Sequence, residues 1–216
     1  GRTARIMTLA LPASVEIFTI VPVIDGVPAS SVTLRRSDIE RLEVEPAEEI
    51  VARAVVTGGA EPAPEDLVRI APYPRFAYGL GPYVELSLFD PDDPLRGALG
   101  LSLAADLELA PGLELSGTVR QPVFSNLDEI SRESDSDLPR VRSDFPLYVD
   151  DLDPSLERLT LAHYGRPSDA FYSRVTAGYL ERMFAGVSGE VLWKPVDSRL
   201  ALGAELNYVR QRDFDD

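Results

Sequence analysis

The chain has 216 residues, enough for one large domain or for a small domain beside a larger one. Its formal net charge of -15 argues against nucleic-acid partners, because binding to phosphates requires clustered Lys and Arg side chains. It contains no cysteine, which excludes disulfides, and no apolar run reaches the roughly 18 residues of a transmembrane helix. A β-barrel is compatible with this composition, since one face of each barrel strand is polar.

Residues 1–58 are typical of a small α+β module. An apolar helix is predicted over 4–11, ended by Pro12, and a strand over 15–24, before the tight turn at Asp25-Gly26. The remaining elements are predicted as a strand at 32–35, a helix at 37–42 with Ser37 as its N-cap, and a helix or strand at 48–56. Residues 59–75 are rich in proline and are interpreted as a linker.

From residue 76 to 216 the pattern changes to repeated hairpins, and the hairpin at 98–121 is the clearest of them. Leucines alternate with small and polar residues on both sides of the turn at Ala110-Pro111-Gly112. Alternation of this length exceeds the five or six residues usual in soluble strands and matches the roughly 9 to 11 residues of a membrane-crossing strand. Seven strands are predicted, at 82–89, 98–109, 113–122, 157–165, 170–180, 185–194 and 199–211.

The connections between these strands differ at the two ends of the predicted sheet. Short turns follow the second, fourth and sixth strands, whereas the other end has the connection 90–97 and a long acidic loop at 123–156, although the connection near 181–183 is short. Outer-membrane barrels have short periplasmic turns and longer extracellular loops, so residues 1–75 are expected in the periplasm. Aromatic residues near both ends are typical of interfacial girdles; they are Tyr164, Phe171, Tyr172 and Trp193 at the short turns, and Phe89, Phe124, Tyr179 and Phe184 at the other end.

These observations favour a mainly β fold, a partial antiparallel transmembrane-type barrel preceded by the α+β module. A soluble β-sandwich or a lipocalin-like barrel would show the same alternation. In the membrane interpretation, the odd-numbered leucines from Leu99 to Leu109 face lipid, together with Leu202. The side chains expected to face the lumen are Asp106, Glu108, Arg120, Arg174, Glu190, Glu205 and Asn207.

Few residues suggest catalysis. His163 is the single histidine, and no nucleophile elbow or cysteine accompanies it. The acidic groups at 90–93, 135–137 and 150–153 have oxygen ligands that suit Ca²⁺, but without EF-hand spacing they are interpreted as solvated loop charge. We therefore expect no enzyme activity, no metal and no cofactor.

Two arginines in the acidic loop are candidates for binding an anionic glycan. Arg140 and Arg142 carry planar guanidinium groups, which bind carboxylates and phosphates bidentately. Ion pairing with neighbouring acids is the alternative role. The candidate residues for glycan or anion binding, or for structuring the loop, are Arg140, Arg142, Asp144 and Tyr148.

Several segments resemble the YjbH family. They are Arg2–Arg5, Val32–Asp38, Leu138–Asp144, Leu156–Leu159, Tyr179–Gly186 and Leu202–Phe214, so the resemblance covers nearly the whole chain. It implies a large outer-membrane β-barrel protein encoded with exopolysaccharide or capsule export genes of the Yjb and Gfc type. Because family members are considerably longer, the chain is expected to be a fragment, and the family supplies no established catalytic residue.

The resemblance and the alternation together predict a non-enzymatic outer-membrane component for the secretion or surface assembly of exopolysaccharide. Its expected partners are outer-membrane lipid, a polysaccharide and other export proteins, which the periplasmic module would dock. A soluble carbohydrate-binding or scaffold domain is the competing hypothesis. A third is a glycan-modifying enzyme with acidic residues in the barrel mouth.

Overall fold

The structure is a computed structural model that describes residues 2–42, 44–59, 73–88, 95–127, 145–148 and 152–213. These residues are mainly in antiparallel β-sheets, with one sheet of seven strands, one of three and a two-stranded hairpin. The predicted mainly β, antiparallel fold class is thereby confirmed. Closure into a barrel stays a prediction.

The N-terminal residues form the predicted mixture of short helices and strands. In chain order they are α1 (Arg2–Ala10), β1 (Ile17–Ile20), β2 (Val23–Ile24), β3 (Val27–Pro28), β4 (Ser31–Arg35), α2 (Arg36–Arg41), α3 (Ala47–Ala52) and β5 (Val55–Thr57). The segment 48–56, for which helix and strand were both open, contains all but the first residue of α3 and the first two residues of β5. Among the described residues, the helices are too short or too polar to span a membrane.

The turn between β2 and β3 follows the sequence prediction. Asp25 and Gly26 have positive φ angles of 50° and 76°, as a tight hairpin turn requires at its two central positions. Asp tolerates this region better than most side chains, and Gly enters it without strain.

The prediction that Ser37 caps α2 is wrong. The helix begins at Arg36, one residue earlier than predicted, so its N-cap position is Arg35. The Arg35 side chain makes no capping hydrogen bond. The Ser37 hydroxyl instead donates to Glu16 Oε1 at 2.6 Å, and the Ser37 backbone N–H donates to the same oxygen at 3.3 Å. These two bonds lower the pKa of the Glu16 carboxyl. The Glu16 carboxylate, 21 residues earlier in the chain, therefore accepts the hydrogen bond from the first turn of α2, a role that the Ser37 side chain was expected to have.

Arg36 lies in the core of this module among apolar side chains. Its guanidinium donates to the carbonyl oxygens of Thr8 and Val15, both at 2.8 Å, and it is only 6% exposed. It also donates to the carbonyl oxygens of Leu11 and Pro12, so one side chain provides donors for several backbone carbonyls along the connection between α1 and β1. The buried apolar residues around it are Ala4, Phe18, Leu34, Ile39, Leu42 and Ile50.

All seven predicted hairpin strands are present and pair in chain order as a meander. They are β6 (Arg75–Leu88), β7 (Leu95–Ala110), β8 (Leu113–Ser125), β9 (Ser155–Ser168), β10 (Phe171–Tyr179), β11 (Phe184–Trp193) and β12 (Leu202–Gln211). A short 3₁₀ helix at Phe145–Tyr148 lies in the connection between β8 and β9. The rest of the predicted loop 123–156 belongs to these strands or lies largely outside the described residues.

The first strand begins seven residues before its predicted start at 82. Gly79, Gly81 and Pro82 interrupt the alternation in the sequence, but among the described strands β6 lies at the edge of the sheet, where proline is tolerated because one side of the strand makes no ladder hydrogen bonds. Most of the predicted linker, residues 60–72, lies outside the described residues, so the proposed module boundaries stay predictions.

Gly100 and Gly178 are two of the positions in this sheet where a close backbone approach requires glycine. At the irregular register between Leu99 and Gly100, a Cβ on Gly100 would collide with the backbone of Gln121 and the ring of Tyr83. Gly178 has a φ of 132°, and a Cβ there would collide with the carbonyl of Leu159. Such irregularities bend and twist a sheet locally.

The chain divides into two compact units. The first contains residues 1–70, 164–173 and 191–204, and the second contains 71–163, 174–190 and 205–216. Within the first unit, the Arg166 guanidinium donates to the carbonyl oxygens of Pro28 and Ala29 at 3.1 and 2.9 Å. The end of β9 is thus bonded to the last residue of β3 and to the residue after it.

Candidate functional site

The two faces of the seven-stranded sheet carry opposite chemistry. The register places Phe76 opposite Leu107, Leu80 opposite Leu103 and Val84 opposite Leu99, all on one face. On the other face Arg75 pairs with Glu108, with 3.3 Å between Nη1 and Oε2. The apolar face and the polar face can therefore be followed from strand to strand.

The apolar face is exposed rather than buried. Leu80 is 67% exposed, Leu103 46% and Leu206 80%. On the polar face, by contrast, Ser116 and Thr160 are only 4% and 5% exposed, and their hydroxyl oxygens lie 3.1 Å apart. The sheet consequently has its apolar side outward and much of its polar side covered, the reverse of a soluble sandwich.

Most of the side chains predicted to face a lumen lie in ion pairs on the polar face. Arg174 Nη2 lies 2.9 Å from Glu190 Oε2 and 3.7 Å from Glu205 Oε1. The Ser188 hydroxyl also donates to Glu205 at 2.8 Å, which joins β10, β11 and β12.

The remaining lumen candidates have fewer contacts. Asp106 is half-buried and pairs in register with Ala77 on one side and Ser116 on the other. Asn207 is exposed and lies on the same side of β12 as Glu205, because the two are two positions apart in the strand. Their lumen-facing role stays a prediction.

A charged cluster of Glu85, Arg120, Glu157 and Arg182 lies at the end of the sheet opposite the short turns. Arg120 Nη1 lies 3.0 Å from Glu85 Oε2 and 3.4 Å from Glu157 Oε2. Arg182 bonds the same two carboxylates, through Nη2 to Glu85 at 3.2 Å and through Nε to Glu157 at 2.8 Å. Each cation thus bridges both anions, and the Arg182 side chain is only 9% exposed.

Aromatic side chains pack against both arginines of the charged cluster. The guanidinium carbon of Arg120 lies 4.8 Å from the centre of the Tyr83 ring, and that of Arg182 lies 5.0 Å from the centre of the Phe145 ring. Both distances are within the range of cation–π attraction. A cleft opens beside this cluster; it is lined by Tyr83, Glu85, Ala98, Pro122, Ser125, Leu127, Asp153, Ser155 and Arg182.

Sequence reasoning identified only Arg120 among the four charged residues of this cluster. Glu85 and Glu157 lie on predicted strands, so extending the polar face along β6 and β9 would have found them. Arg182 was missed because it lies in the short connection between β10 and β11, where alternation carries no information.

The structure describes only one of the four loop residues proposed for glycan or anion binding. Arg140, Arg142 and Asp144 lie outside the described residues. The Tyr148 hydroxyl donates to the carbonyl oxygen of Arg212, the residue that follows β12. His163 is exposed, opposite Leu113 in the register. Within the described ranges, acidic and histidine side chains form no group that could hold a metal ion.

Comparison with known proteins agrees with the resemblance drawn from the sequence. Residues 1–216 match the model of the YjbH family, described as "Exopolysaccharide biosynthesis protein YbjH". A protein of Escherichia coli strain K12, described as "Uncharacterized lipoprotein YjbH", is 35% identical over 143 residues, which cover 65% of this chain and 20% of that protein. No solved structure matches the chain. With a match along its entire length, the chain belongs to the YjbH family of exopolysaccharide biosynthesis proteins.

Proposed function

We propose that the chain is part of a non-enzymatic outer-membrane β-barrel component that serves the secretion or surface assembly of exopolysaccharide. The observation that carries this proposal is the inverted sheet, with an exposed apolar face and a covered, ion-paired polar face. A bilayer solvates apolar side chains, whereas water would penalise a leucine-rich surface of this extent.

The length of the strands supports the same proposal. The seven strands have from 9 residues in β10 to 16 in β7. A tilted strand needs roughly 9 to 11 residues to cross the hydrocarbon core, so every one of them is long enough.

Aromatic residues at both ends of the apolar face also fit a membrane. Phe76 and Tyr78 stack with ring centres 5.9 Å apart near the short-turn end of β6. Phe124 is 63% exposed near the other end of the sheet. Aromatic side chains at the two interfaces form the girdles typical of outer-membrane barrels.

The orientation of the proposed barrel in the membrane follows from a contact within the first unit. Arg166, at the short-turn end of β9, bonds to Pro28 and Ala29 of the N-terminal residues. Short turns are periplasmic in bacterial outer-membrane barrels, so we place the N-terminal module in the periplasm, where it would dock other export proteins. The description of the Escherichia coli relative as a lipoprotein agrees with a location in the cell envelope.

The functional experiment uses cells that lack the complete gene and are complemented with variants of the full-length protein. Leu103→Arg places a charge on the apolar face, and Ala104→Arg places the same charge on the polar face one residue later. We expect the deletion and Leu103→Arg to reduce surface exopolysaccharide strongly, because a cation at mid-bilayer costs about 2–4 kcal/mol.

Ala104→Arg is the matched control and should restore surface exopolysaccharide. If the deletion leaves surface exopolysaccharide unchanged, the proposed function is wrong. If Leu103→Arg restores it as well as Ala104→Arg does, the proposed orientation of the two faces is wrong.

A further inference from the structure

The charged cluster reaches across the polar face of the sheet, between elements that are not neighbours. Arg182, in the connection between β10 and β11, has its Nη2 3.2 Å from Oε2 of Glu85 on β6, although β7, β8 and β9 lie between these elements in the sheet. Adjacent strands lie about 4.8 Å apart, so a flat sheet would separate β6 from β10 by roughly 19 Å, more than the two side chains can span. The contact therefore requires the sheet to curl around its polar face.

Short side chains in the middle of the polar face are covered by this curl. Ser116 on β8, Thr160 on β9 and Ser188 on β11 are all buried. Short side chains on the wall of a wide, water-filled channel would be exposed. Narrow β-barrels instead have interiors that are filled by their own side chains, and the burial of these three residues agrees with that arrangement.

Apolar side chains fill the space beside the charged cluster. Leu127 is buried and packs with Ala98, Tyr83 and Phe145. Phe145 also covers the guanidinium of Arg182. Among the described residues, the cleft that remains at this level has room for about one water molecule. A glycan chain cannot pass through a space of this size.

Two further arginines hold the backbone that carries these side chains. Arg96 is buried and donates to the carbonyl oxygen of Leu127 at 3.4 Å. Arg212 donates to the carbonyl oxygen of Arg182 at 2.9 Å, and its guanidinium carbon lies 4.2 Å from the centre of the Tyr179 ring. The positions of Leu127 and Arg182 are thus fixed through their backbone as well as through their side chains.

We propose that the charged cluster, together with Tyr83, Leu127 and Phe145, is a seal that closes the interior of the proposed barrel near its outward end. The inference rests on the proposed function and specifies that, in the observed conformation, the interior is no open path for a glycan. The seal is made of contacts between side chains, so it can open while the backbone ladder of the strands stays paired. Arg182 is its central member, because it joins the connection between β10 and β11 to both β6 and β9.

The test records ionic conductance through planar lipid bilayers that contain the complete protein. The wild type should be closed for most of the recording. Arg182→Ala removes the cation that joins Glu85 to Glu157 from the far side of the polar face and leaves these two carboxylates with less compensating charge. We expect this variant to conduct for at least about tenfold more of the time than the wild type does.

Arg174→Ala is the matched control. Arg174 also lies beside two glutamates, but Glu190 and Glu205 are on β11 and β12, the next strands of the sheet. Its loss removes an equivalent ion pair without breaking a contact across the polar face. This variant should conduct as little as the wild type, and a circular dichroism spectrum should show the same β content in all three proteins.

A cross-linking experiment tests the seal without depending on the stability of Arg182→Ala. Glu85→Cys and Arg182→Cys are combined in a complete protein free of other cysteines. A short bifunctional thiol reagent should join the two cysteines and reduce the conductance of this variant to that of the wild type. Glu85→Cys combined with Arg174→Cys is the control, which the reagent should not join, because Arg174 lies nearer the short-turn end of β10.

The inference is overturned if the wild type conducts as much as Arg182→Ala does, or if the reagent fails to join positions 85 and 182. A rise in conductance with Arg174→Ala equal to that with Arg182→Ala would also overturn it, since contacts across the polar face would then have no special effect. Failure of the proposed function has a different result, in which gene deletion leaves surface exopolysaccharide unchanged while Arg182→Ala still conducts more than the wild type.

Discussion

Arg36 shows how a single side chain can organise the N-terminal module. It is 6% exposed, donates to four backbone carbonyls and lies over the ring of Phe18, with 5.4 Å between its guanidinium carbon and the ring centre. A buried arginine is tolerated only when its donors are satisfied, which here requires the connection between α1 and β1 to follow one path.

Replacing Arg36 should therefore destabilise the module. We expect Arg36→Met to lower the free energy of local opening by roughly 2–4 kcal/mol, because the carbonyl acceptors lose their donors. Amide hydrogen exchange in β1 and β4 of the full-length protein measures this change. Arg41→Met is the control, since the Arg41 side chain is 66% exposed and its ion pair with Asp38 contributes little. Equal effects of the two substitutions would contradict the role of Arg36.

The bond between Ser37 and Glu16 makes a second prediction at the residue scale. Because the Ser37 hydroxyl and N–H favour the ionised carboxyl, the pKa of Glu16 lies below its usual value of 4.5. The stabilisation is fully present above that value and is lost as the pH falls through the lowered folded-state pKa. Ser37→Ala should raise the pKa of Glu16, as measured by NMR titration of its carboxyl carbon. An unchanged pKa in this variant would show that the hydroxyl is not the cause.

At the scale of the elements, the pairing of β6, β7 and β8 depends on a close approach at Gly100. A Cβ there would meet backbone atoms of Gln121 and Pro122, which cannot rotate away as a side chain can. The irregular register beside Gly100 lets β8 continue to Ser125 and reach the cleft. This glycine therefore links the course of the strands to the site.

Gly100→Ala should accordingly destabilise the sheet by roughly 2 kcal/mol or more, since backbone must shift to admit the methyl group. Gly79→Ala is the matched control on β6, because nothing lies within 4 Å of a Cβ at that position. The midpoint of urea unfolding of the full-length protein measures both changes. If the two alanines have the same effect, close packing at Gly100 does not limit the stability of the sheet.

Sequence alternation predicted the strands well because each strand has one apolar and one polar face, which is a property local to the strand. It failed where a distant residue decides the structure. Ser37 was expected to cap a helix, but Glu16 supplies the acceptor from another element. Arg182 could not be found in the same way, since its partners Glu85 and Glu157 lie on strands far away in the sequence.

At the scale of the whole molecule, the seven-stranded sheet separates apolar side chains from charged ones. Leucines that alternate along β7 are exposed on one side, while arginines and carboxylates pair on the other. Pairing limits the cost of covering these charges, and it leaves a hydrophilic surface on that side of the sheet. The chain belongs to a family of exopolysaccharide biosynthesis proteins, and the proposed function is what connects this surface to that family's role.

The central claim, that the apolar face lies in lipid, is tested most directly by fluorescence quenching in bilayers. Single cysteines at Leu103 and Ala104, and at Glu205 and Leu206, are labelled with a small fluorophore in a full-length background free of other cysteines. Nitroxide-labelled lipids should quench the labels at 103 and 206, and aqueous iodide should quench those at 104 and 205. Equal access of iodide to both members of each pair, with no quenching by the lipid nitroxide, would contradict the account.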